Sequence, residues 1–258
     1  MQFEINAKEP DYLKDHDGKV GAAENHDLLA SVPRMMLLDK SSKPVQDFME
    51  GAVAGKVWST KHRAPIGGVA KMGPNGIEEQ TPVIVVPLKA ELEWIRFDDD
   101  GNLMWRTQDP DSQLVQDLGD QAYKFKQLHF LVLAPINNED YEPQPMILTF
   151  KGSNYKIGLK WYDEMDSRKG DMYTQVYELS VMHTKDGNYS WFSFIAPKFL
   201  GYSGSDLLLV SEALARDQAG KRLLPNVVPE EQASSSEEKA LQTKVTVTKP
   251  EQKGAAPF

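Results

Sequence analysis

The fold is decided by the stretch LEWIRFDDDGNLMWR, residues 92–106. Two short segments rich in apolar and aromatic residues flank the dipeptide Asp100-Gly101. Asp-Gly between such segments is the strongest short-range signal for a two-residue hairpin turn. With that turn, Arg96 lies opposite Trp105 in an antiparallel pair. The stretch therefore predicts a β-hairpin with a defined register.

Side chains on such a hairpin alternate between two faces. We expect Trp94, Arg96 and Trp105 on one face, and Ile95 and Phe97 on the other. The second set is apolar, so its face is the expected core face. The first set combines two indoles with a guanidinium, so its face is the expected ligand face.

A second hairpin is predicted around Asp186-Gly187-Asn188. Its strands are expected at residues 176–183 and 189–195, which are rich in β-branched and aromatic residues. By analogy with the first hairpin, we expect Met182 opposite Trp191.

Further strands are predicted at residues 83–86, 128–133 and 146–150. Two helices are predicted, one capped by Ser153 and one capped by Ser205, because each serine precedes apolar residues at helical spacing. Residues 64–82 contain seven Gly and Pro residues and predict a long connection with no regular element.

These segments together predict a mainly β (α+β) domain over residues 28–225. Because hairpin-connected strands dominate, we expect an antiparallel sheet or an OB-like barrel with two short helices. Residues 1–27 are polar and rich in acids, and we expect a flexible arm there. Residues 226–258 consist mainly of polar and small residues, and we expect a disordered tail.

Composition excludes several function classes. The chain of 258 residues has 29 Lys and Arg against 38 Asp and Glu, so a generally basic nucleic-acid coat is excluded. It has no Cys, so thiolate metal sites, iron–sulfur clusters and a Cys nucleophile are excluded. No apolar run approaches the ~20 residues that span a bilayer, and we expect no secretory signal. The expectation is a soluble cytoplasmic protein.

Motifs of common enzymes are missing from the sequence. It contains no G-x-x-x-x-G-K-[ST] phosphate loop and no H-E-x-x-H pair, and its five His residues are scattered. We therefore expect no enzymatic activity, no cofactor and no metal site. The carboxylates of Asp163, Glu164 and Asp166 leave one alternative open, which is a nucleic-acid-processing enzyme.

The positive signal is the interleaving of aromatic and basic side chains. Bases of a single strand stack on aromatic rings while Lys and Arg follow the phosphates. The candidate nucleic-acid-binding residues with this pattern are Trp58, Lys61, Arg63, Trp94, Arg96, Trp105, Lys124, Lys126, Lys151, Tyr155, Lys156, Lys160 and Trp161. The alternative for each ring is a place in the hydrophobic core.

Residues 28–210 contain four short motifs: Pro33-Arg34-x-x-Leu37, Ala52-x-x-Gly55-x-x-Trp58, Val86-Pro87-Leu88 with the following Trp94, and Pro145-x-x-Leu148-x-Phe150-Lys151-Gly152-Ser153. Together they resemble a group of tailed-phage proteins that are single-stranded-DNA-binding-like. The resemblance implies an accessory protein of replication or recombination built on an OB-like barrel. It implies no catalytic residues.

The sequence ends in Pro257-Phe258, which is similar to the partner-docking tip of bacterial single-strand-binding proteins. The stretch Lys253-Gly254-Ala255-Ala256 replaces the acidic run that precedes that tip in those proteins. We expect Pro257 and Phe258 to bind a replication or recombination protein.

The resulting hypothesis is a non-enzymatic single-stranded DNA-binding protein of a bacteriophage, acting in the host cytoplasm away from membranes. It would protect strands and recruit partners in replication or recombination. The alternative is a phage virion or assembly protein that binds no nucleic acid. In that case the sheet packs against copies of itself and the aromatic residues form the interfaces.

Overall fold

The computed structural model describes residues 5–6, 32–98 and 103–223. The strands within them are β1 Ile5–Asn6, β2 Arg34–Leu37, β3 Lys56–Ser59, β4 Ala64–Gly73, β5 Gly76–Thr81, β6 Val83–Phe97, β7 Leu103–Thr107, β8 Lys126–Ala134, β9 Gln144–Lys151, β10 Gln175–Leu179, β11 Val181–Asp186, β12 Tyr189–Phe194 and β13 Lys198–Ser203. The α-helices are α1 Lys43–Gln46, α2 Gln113–Gln116, α3 Tyr155–Ser167 and α4 Ser205–Gln218. Short 3-10 helices lie at Gly119–Phe125, Gly152–Asn154 and Met172–Thr174.

β6 is the central strand, because it is 15 residues long and has three partners. β10 pairs with its first residues, β7 pairs with its last residues, and β8 runs along its other edge. Eleven strands form one sheet in the order β1-β13-β10-β6-β8-β9-β2-β3-β4-β5, with β7 beside β6. Among the described pairings only β2–β9 is parallel. The sheet curls into an open half-barrel, so the predicted mainly β class is confirmed.

Two helices cover the centre of the sheet from opposite faces. Trp161 of α3 packs in the same buried cluster as Phe130. Leu207 of α4 packs in the same buried cluster as Leu131. Because successive strand residues point to opposite faces, β8 is buried on both sides and reads as a continuous apolar run.

The first predicted hairpin is confirmed, and so are both of its predicted pairs. Arg96 of β6 lies opposite Trp105 of β7, and Trp94 lies opposite Thr107. Nearer the turn the register shifts by one residue, so that Phe97 lies opposite Leu103, and residues 99–102 lie outside the described residues. The predicted strands at 83–86, 128–133 and 146–150 are parts of β6, β8 and β9.

The second hairpin is confirmed, but its predicted register is wrong by two residues. Thr184, not Met182, lies opposite Trp191. The turn is formed by Gly187 and Asn188, and Gly187 has a φ of 56°, a left-handed conformation that favours glycine. The predicted strand 176–183 also breaks at Ser180, after which β11 leaves the main sheet and pairs with β12 alone.

The prediction that residues 64–82 form a connection is wrong, because they form the β4–β5 hairpin. Glycines in this segment allow the backbone of β4 to approach β3 closely and allow the turn between β4 and β5. Gly68 has a φ of 92°, and a Cβ there would overlap the backbone of Gly55 and Lys56 on β3. Gly76 has a φ of 128° at the start of β5. A high glycine content therefore marks backbone contact between strands in this segment.

Both predicted helices exist as α3 and α4, but the predicted caps are wrong. Ser153 lies inside the 3-10 helix that precedes α3, and the residue at the N-cap is Asn154. Ser205 is the first residue of α4, after Gly204. Neither N-cap makes a side-chain hydrogen bond to the helix.

The expected arm at residues 1–27 and tail at 226–258 lie outside the described residues, except for Ile5–Asn6, which pairs with β13. In the part of the chain that the structure describes, no helix has the length and hydropathy to cross a membrane.

Candidate nucleic-acid interface

The expected ligand face of the first hairpin is buried. Trp94 is 4% exposed and Trp105 is 9% exposed. Both indoles pack against Val115 of α2 and are covered by apolar side chains of residues 114–122. The expectation that these two rings face a ligand is therefore wrong for this conformation, since a covered ring has no free face on which a base can stack.

Two predicted cations lie beside these indoles. The Nζ of Lys126 is 5.3 Å from the centre of the Trp94 ring. The Cζ of Arg96 is 5.7 Å from the centre of the Phe125 ring, which in turn lies 6.3 Å from the Trp105 ring. The sequence prediction thus found residues that do come together, but they form a small internal cluster.

Trp58 and Trp161 are core residues, each 1% exposed. Trp161 contacts the rings of Phe130 and Tyr177 at centroid distances of 4.4 and 5.5 Å. Tyr155 is half-buried, and this burial raises the pKa of its hydroxyl. For Trp58 and Trp161 the alternative of a place in the hydrophobic core is therefore the correct one.

The remaining predicted cations are exposed but scattered. Lys61 and Arg63 lie in the turn between β3 and β4, and Lys124 lies in the 3-10 helix Gly119–Phe125. Lys156 and Lys160 lie one turn apart on the exposed face of α3. None of these five lines the cleft described below. Pro257 and Phe258, the predicted partner-binding residues, lie outside the described residues.

A cleft of about 770 Å³ opens on the other face of the same hairpin. Ile95, Phe97 and Arg106 form one wall. The other walls come from β2, β8, β9 and β12, with Arg34, Gln127, His129, Thr149, Lys151, Trp191 and Phe192 among the lining residues. Of the two apolar residues expected in the core, Ile95 is buried as predicted, whereas Phe97 is exposed, and both line this cleft.

Aromatic rings lie at the mouth of this cleft. Phe97 is 48% exposed and Trp191 is 38% exposed. Phe192 is half-buried and packs against His183, with the ring centroids 4.9 Å apart. Phe97 and Trp191 come from separate sheets, and both line this cleft.

Cations outnumber acids in the lining of the cleft. Arg34, Arg106 and Lys151 are the Lys and Arg residues there, and Asp39 is the one carboxylate. Burial works to raise the pKa of Asp39, but hydrogen bonds from Ser41 and Ser42 outweigh it and lower that pKa. The Oδ1 of Asp39 accepts three hydrogen bonds from Ser41 and Ser42 in its own loop.

The floor of the cleft is polar. His129 is 2% exposed, and its Nε2 lies 2.8 Å from the Oε1 of Glu93. Its Nδ1 lies 2.8 Å from the Oγ1 of Thr149 on the next strand. This chain of contacts crosses β6, β8 and β9, so it fixes their side chains beneath the cleft.

The arrangement can bind a ligand that has both negative charge and planar rings. Lys151 is the one residue of the predicted set that lines the cleft, and sequence reasoning missed Arg34, Phe97, Arg106 and Trp191. For Phe97 and Arg106 the signal was present in the alternation along residues 92–106, whereas Arg34 and Trp191 reach the cleft from the distant strands β2 and β12. What was missing was the knowledge that residues 113–125 cover the opposite face.

A family model described as Pam3 phage gp34-like protein matches residues 3–222. The match spans every strand and helix given above. No curated protein and no solved structure matches the chain.

Proposed function

The chain belongs to the Pam3 phage gp34-like family, and from the chemistry of its cleft we propose that it is a single-stranded DNA-binding protein of a bacteriophage. The observation that carries the proposal is the cleft itself. It combines three cationic side chains with the exposed rings of Phe97 and Trp191. Membership of the family makes the chain a phage protein, and in this proposal its role is to protect strands in replication or recombination inside the host.

In this proposal, bases stack on Phe97 and Trp191 while phosphates lie along Arg34 and Lys151. Each base–ring stack contributes about 1–3 kcal/mol to strand binding and is tolerant of sequence. Unpaired bases offer the free faces that such stacking needs, so the cleft favours single strands over duplex. No step of bond making or breaking is part of the proposal, and the role is that of a binding protein.

The charge distribution predicts that electrostatic attraction contributes only modestly to strand affinity. The chain carries a net charge of −9, so its overall field repels nucleic acid, whereas the cleft is locally positive. Each phosphate that a single strand neutralises contributes about −0.7 to the slope of log affinity against log salt. With three lining cations we expect a slope of about −2, smaller than that of a strongly basic binding protein.

Fluorescence anisotropy of a labelled oligo-dT in a salt series tests the proposal. The full chain is compared with Phe97→Ala, with Trp191→Ala and with Tyr123→Ala as a matched control. Tyr123 is 65% exposed and lies outside the cleft. We expect each cleft variant to lose about fivefold or more in affinity, and the control to bind as the wild type does.

Absence of strand binding by the wild type at low salt would overturn the proposal. That outcome favours the alternative of a phage virion or assembly protein, and light scattering would then test for assemblies of the chain. Equal binding of duplex and single strands would also contradict the stacking mode.

The expected partner docking by Pro257 and Phe258 is proposed as part of the same function. The ring of Phe258 next to Pro257 suits a partner pocket that takes an aromatic side chain. Deleting Ala255 to Phe258 should leave strand affinity unchanged and abolish binding to a replication or recombination protein. A loss of strand affinity on this deletion would contradict the docking role.

A further inference from the structure

Arg106 has an unusual environment for a cleft-lining arginine. It lies on β7 opposite Ile95, and its Nε and Nη2 are buried with no hydrogen-bond partner. These two nitrogens form the side-on edge of the guanidinium, the edge that binds two oxygens of one carboxylate or phosphate. A buried donor without a partner is destabilising, so an acceptor that binds this edge would stabilise the protein.

Two carboxylates lie near Arg106, and that of Glu91 is already engaged by other groups, whereas the Oε1 of Glu93 has no hydrogen-bond partner among the described residues. The Oε1 of Glu91 lies 2.7 Å from the Nζ of Lys89. The Oε2 of Glu91 accepts hydrogen bonds from Gln108 and from the backbone N–H of Leu223. The Oε1 of Glu93 faces His129. Both carboxylates act on Arg106 through their charge, but neither fills the free edge.

Other arginines add positive potential at the same place. Burial lowers the pKa of Arg106 first of all, and the charges of Arg222 and Arg34 lower it further against the opposing effect of Glu93. A group whose protonated form is disfavoured by its surroundings gains most when an anion arrives. Arg34 is exposed on β2 and lines the cleft together with Arg106.

We propose that Arg106 and Arg34 together bind a phosphate group inside the cleft. The inference rests on the proposed function and deepens it, because it names the part of the strand that these two side chains recognise. The proposal requires the Arg106 side chain to turn so that its covered Nε–Nη2 edge faces the cleft. Phe97 and Trp191 line the same cleft, so a nucleotide stacked on either ring would carry its phosphate into it.

A terminal phosphate and an internal phosphodiester share this chemistry, and the test separates them. The first probe is inorganic phosphate, added to the full chain during thermal unfolding and compared with chloride at equal ionic strength. We expect phosphate to raise the Tm of the wild type and of the control Arg216→Gln. Arg216 is exposed on α4 and outside the cleft. We expect no such rise for Arg106→Lys, which keeps the charge but lacks the side-on edge.

The second probe is a set of three labelled strands: oligo-dT, the same strand with a 5′-phosphate, and an abasic deoxyribose–phosphate strand. Arg106→Lys should weaken binding of each by about tenfold or more while leaving the salt slope unchanged. If only the 5′-phosphorylated strand loses affinity, the phosphate site binds a terminal phosphate. If all three strands lose affinity equally, the site binds an internal phosphodiester.

A structural role for Arg106 predicts a different result. If Arg106 only stabilised the fold, Arg106→Gln would lower the Tm measured without ligand. We expect a Tm equal to that of the wild type or higher, because the substitution removes a half-buried charge whose Nε and Nη2 have no hydrogen-bond partner in the part of the chain that the structure describes. A reduced Tm with normal strand affinity would overturn the proposal.

Failure of this inference is distinguishable from failure of the proposed function. If Arg106→Lys binds every strand as tightly as the wild type, the phosphate site is refuted and strand binding stands. If the wild type binds no strand but gains stability from phosphate through Arg106, the phosphate site stands and the proposed function fails.

Discussion

Arg96 lies directly opposite Trp105 across the β6–β7 pair, on the face of the hairpin that packs against residues 113–125. The guanidinium of Arg96 lies near the ring of Phe125, and the indole of Trp105 lies beneath Val115. This pair therefore belongs to a small second core at the end of the sheet. The core holds the hairpin rigid, and a rigid hairpin fixes Phe97 and Arg106 on its opposite face.

We predict that Trp94→Ala or Trp105→Ala destabilises the protein by about 3–5 kcal/mol, because each removes a large buried ring. Urea unfolding followed by circular dichroism measures this change. Trp191→Ala is the matched control, since Trp191 is 38% exposed and its removal should cost much less stability. Equal losses for all three variants would contradict the assignment of the faces.

The sequence allowed the register of this hairpin to be predicted but not the roles of its faces. Register follows from the local chemistry of the Asp-Gly turn and the alternation of side chains. The choice of the open face depends on a segment outside the hairpin. Its apolar residues cover Trp94 and Trp105, and they are Leu114, Val115, Leu118 and Ala122. Their near-helical spacing was the available signal, and acid-rich surroundings with few other apolar residues obscured it.

The β4–β5 hairpin shows a second limit of sequence reasoning. Residues 64–82 have the high glycine and proline content of a loop, yet they form two strands of the sheet. β4 pairs with β3 on one side and with β5 on the other. The need for glycine arises from a neighbouring strand that is close in space. Composition within the segment carries no information about that neighbour.

This explanation predicts that Gly68→Ala is far more harmful than Gly76→Ala. Gly68 has a φ of 92°, and a Cβ on it would overlap the carbonyl oxygen of Gly55. We therefore expect Gly68→Ala to lower the free energy of unfolding by more than about 4 kcal/mol or to prevent folding. Gly76 has a φ of 128° but open space around it, so backbone strain alone should cost about 1–3 kcal/mol. Comparable melting temperatures for the two variants would contradict the close approach of β3 and β4.

A third prediction concerns the pH dependence of stability. Burial, and then the charge of Lys61, lower the pKa of His62 from its ordinary value of 6.5. The unfolded chain therefore takes up a proton on His62 before the folded chain does as the pH falls. The contribution of His62 to stability is complete above pH 6.5 and declines as the pH falls toward its folded pKa.

Urea unfolding between pH 7.5 and pH 5 should therefore show a smaller loss of stability for His62→Gln than for the wild type. Lys61→Gln should raise the imidazole pKa of His62, as measured by NMR titration, because it removes the repelling charge. An imidazole that titrates at or above 6.5 in the wild type would contradict the prediction.

The last prediction separates Lys151 from the other lysines near α3. The sequence places Lys151, Lys156 and Lys160 in one cationic group, whereas the structure places only Lys151 in the lining of the cleft. If strands bind in the cleft, Lys151→Gln should make the slope of log affinity against log salt shallower by about 0.7, the value for one lost phosphate contact. Lys160→Gln removes the same charge from the exposed face of α3, so it should leave the slope unchanged. A shallower slope for Lys160→Gln with an unchanged slope for Lys151→Gln would show that the strand runs over α3, and the path proposed through the cleft would then be wrong.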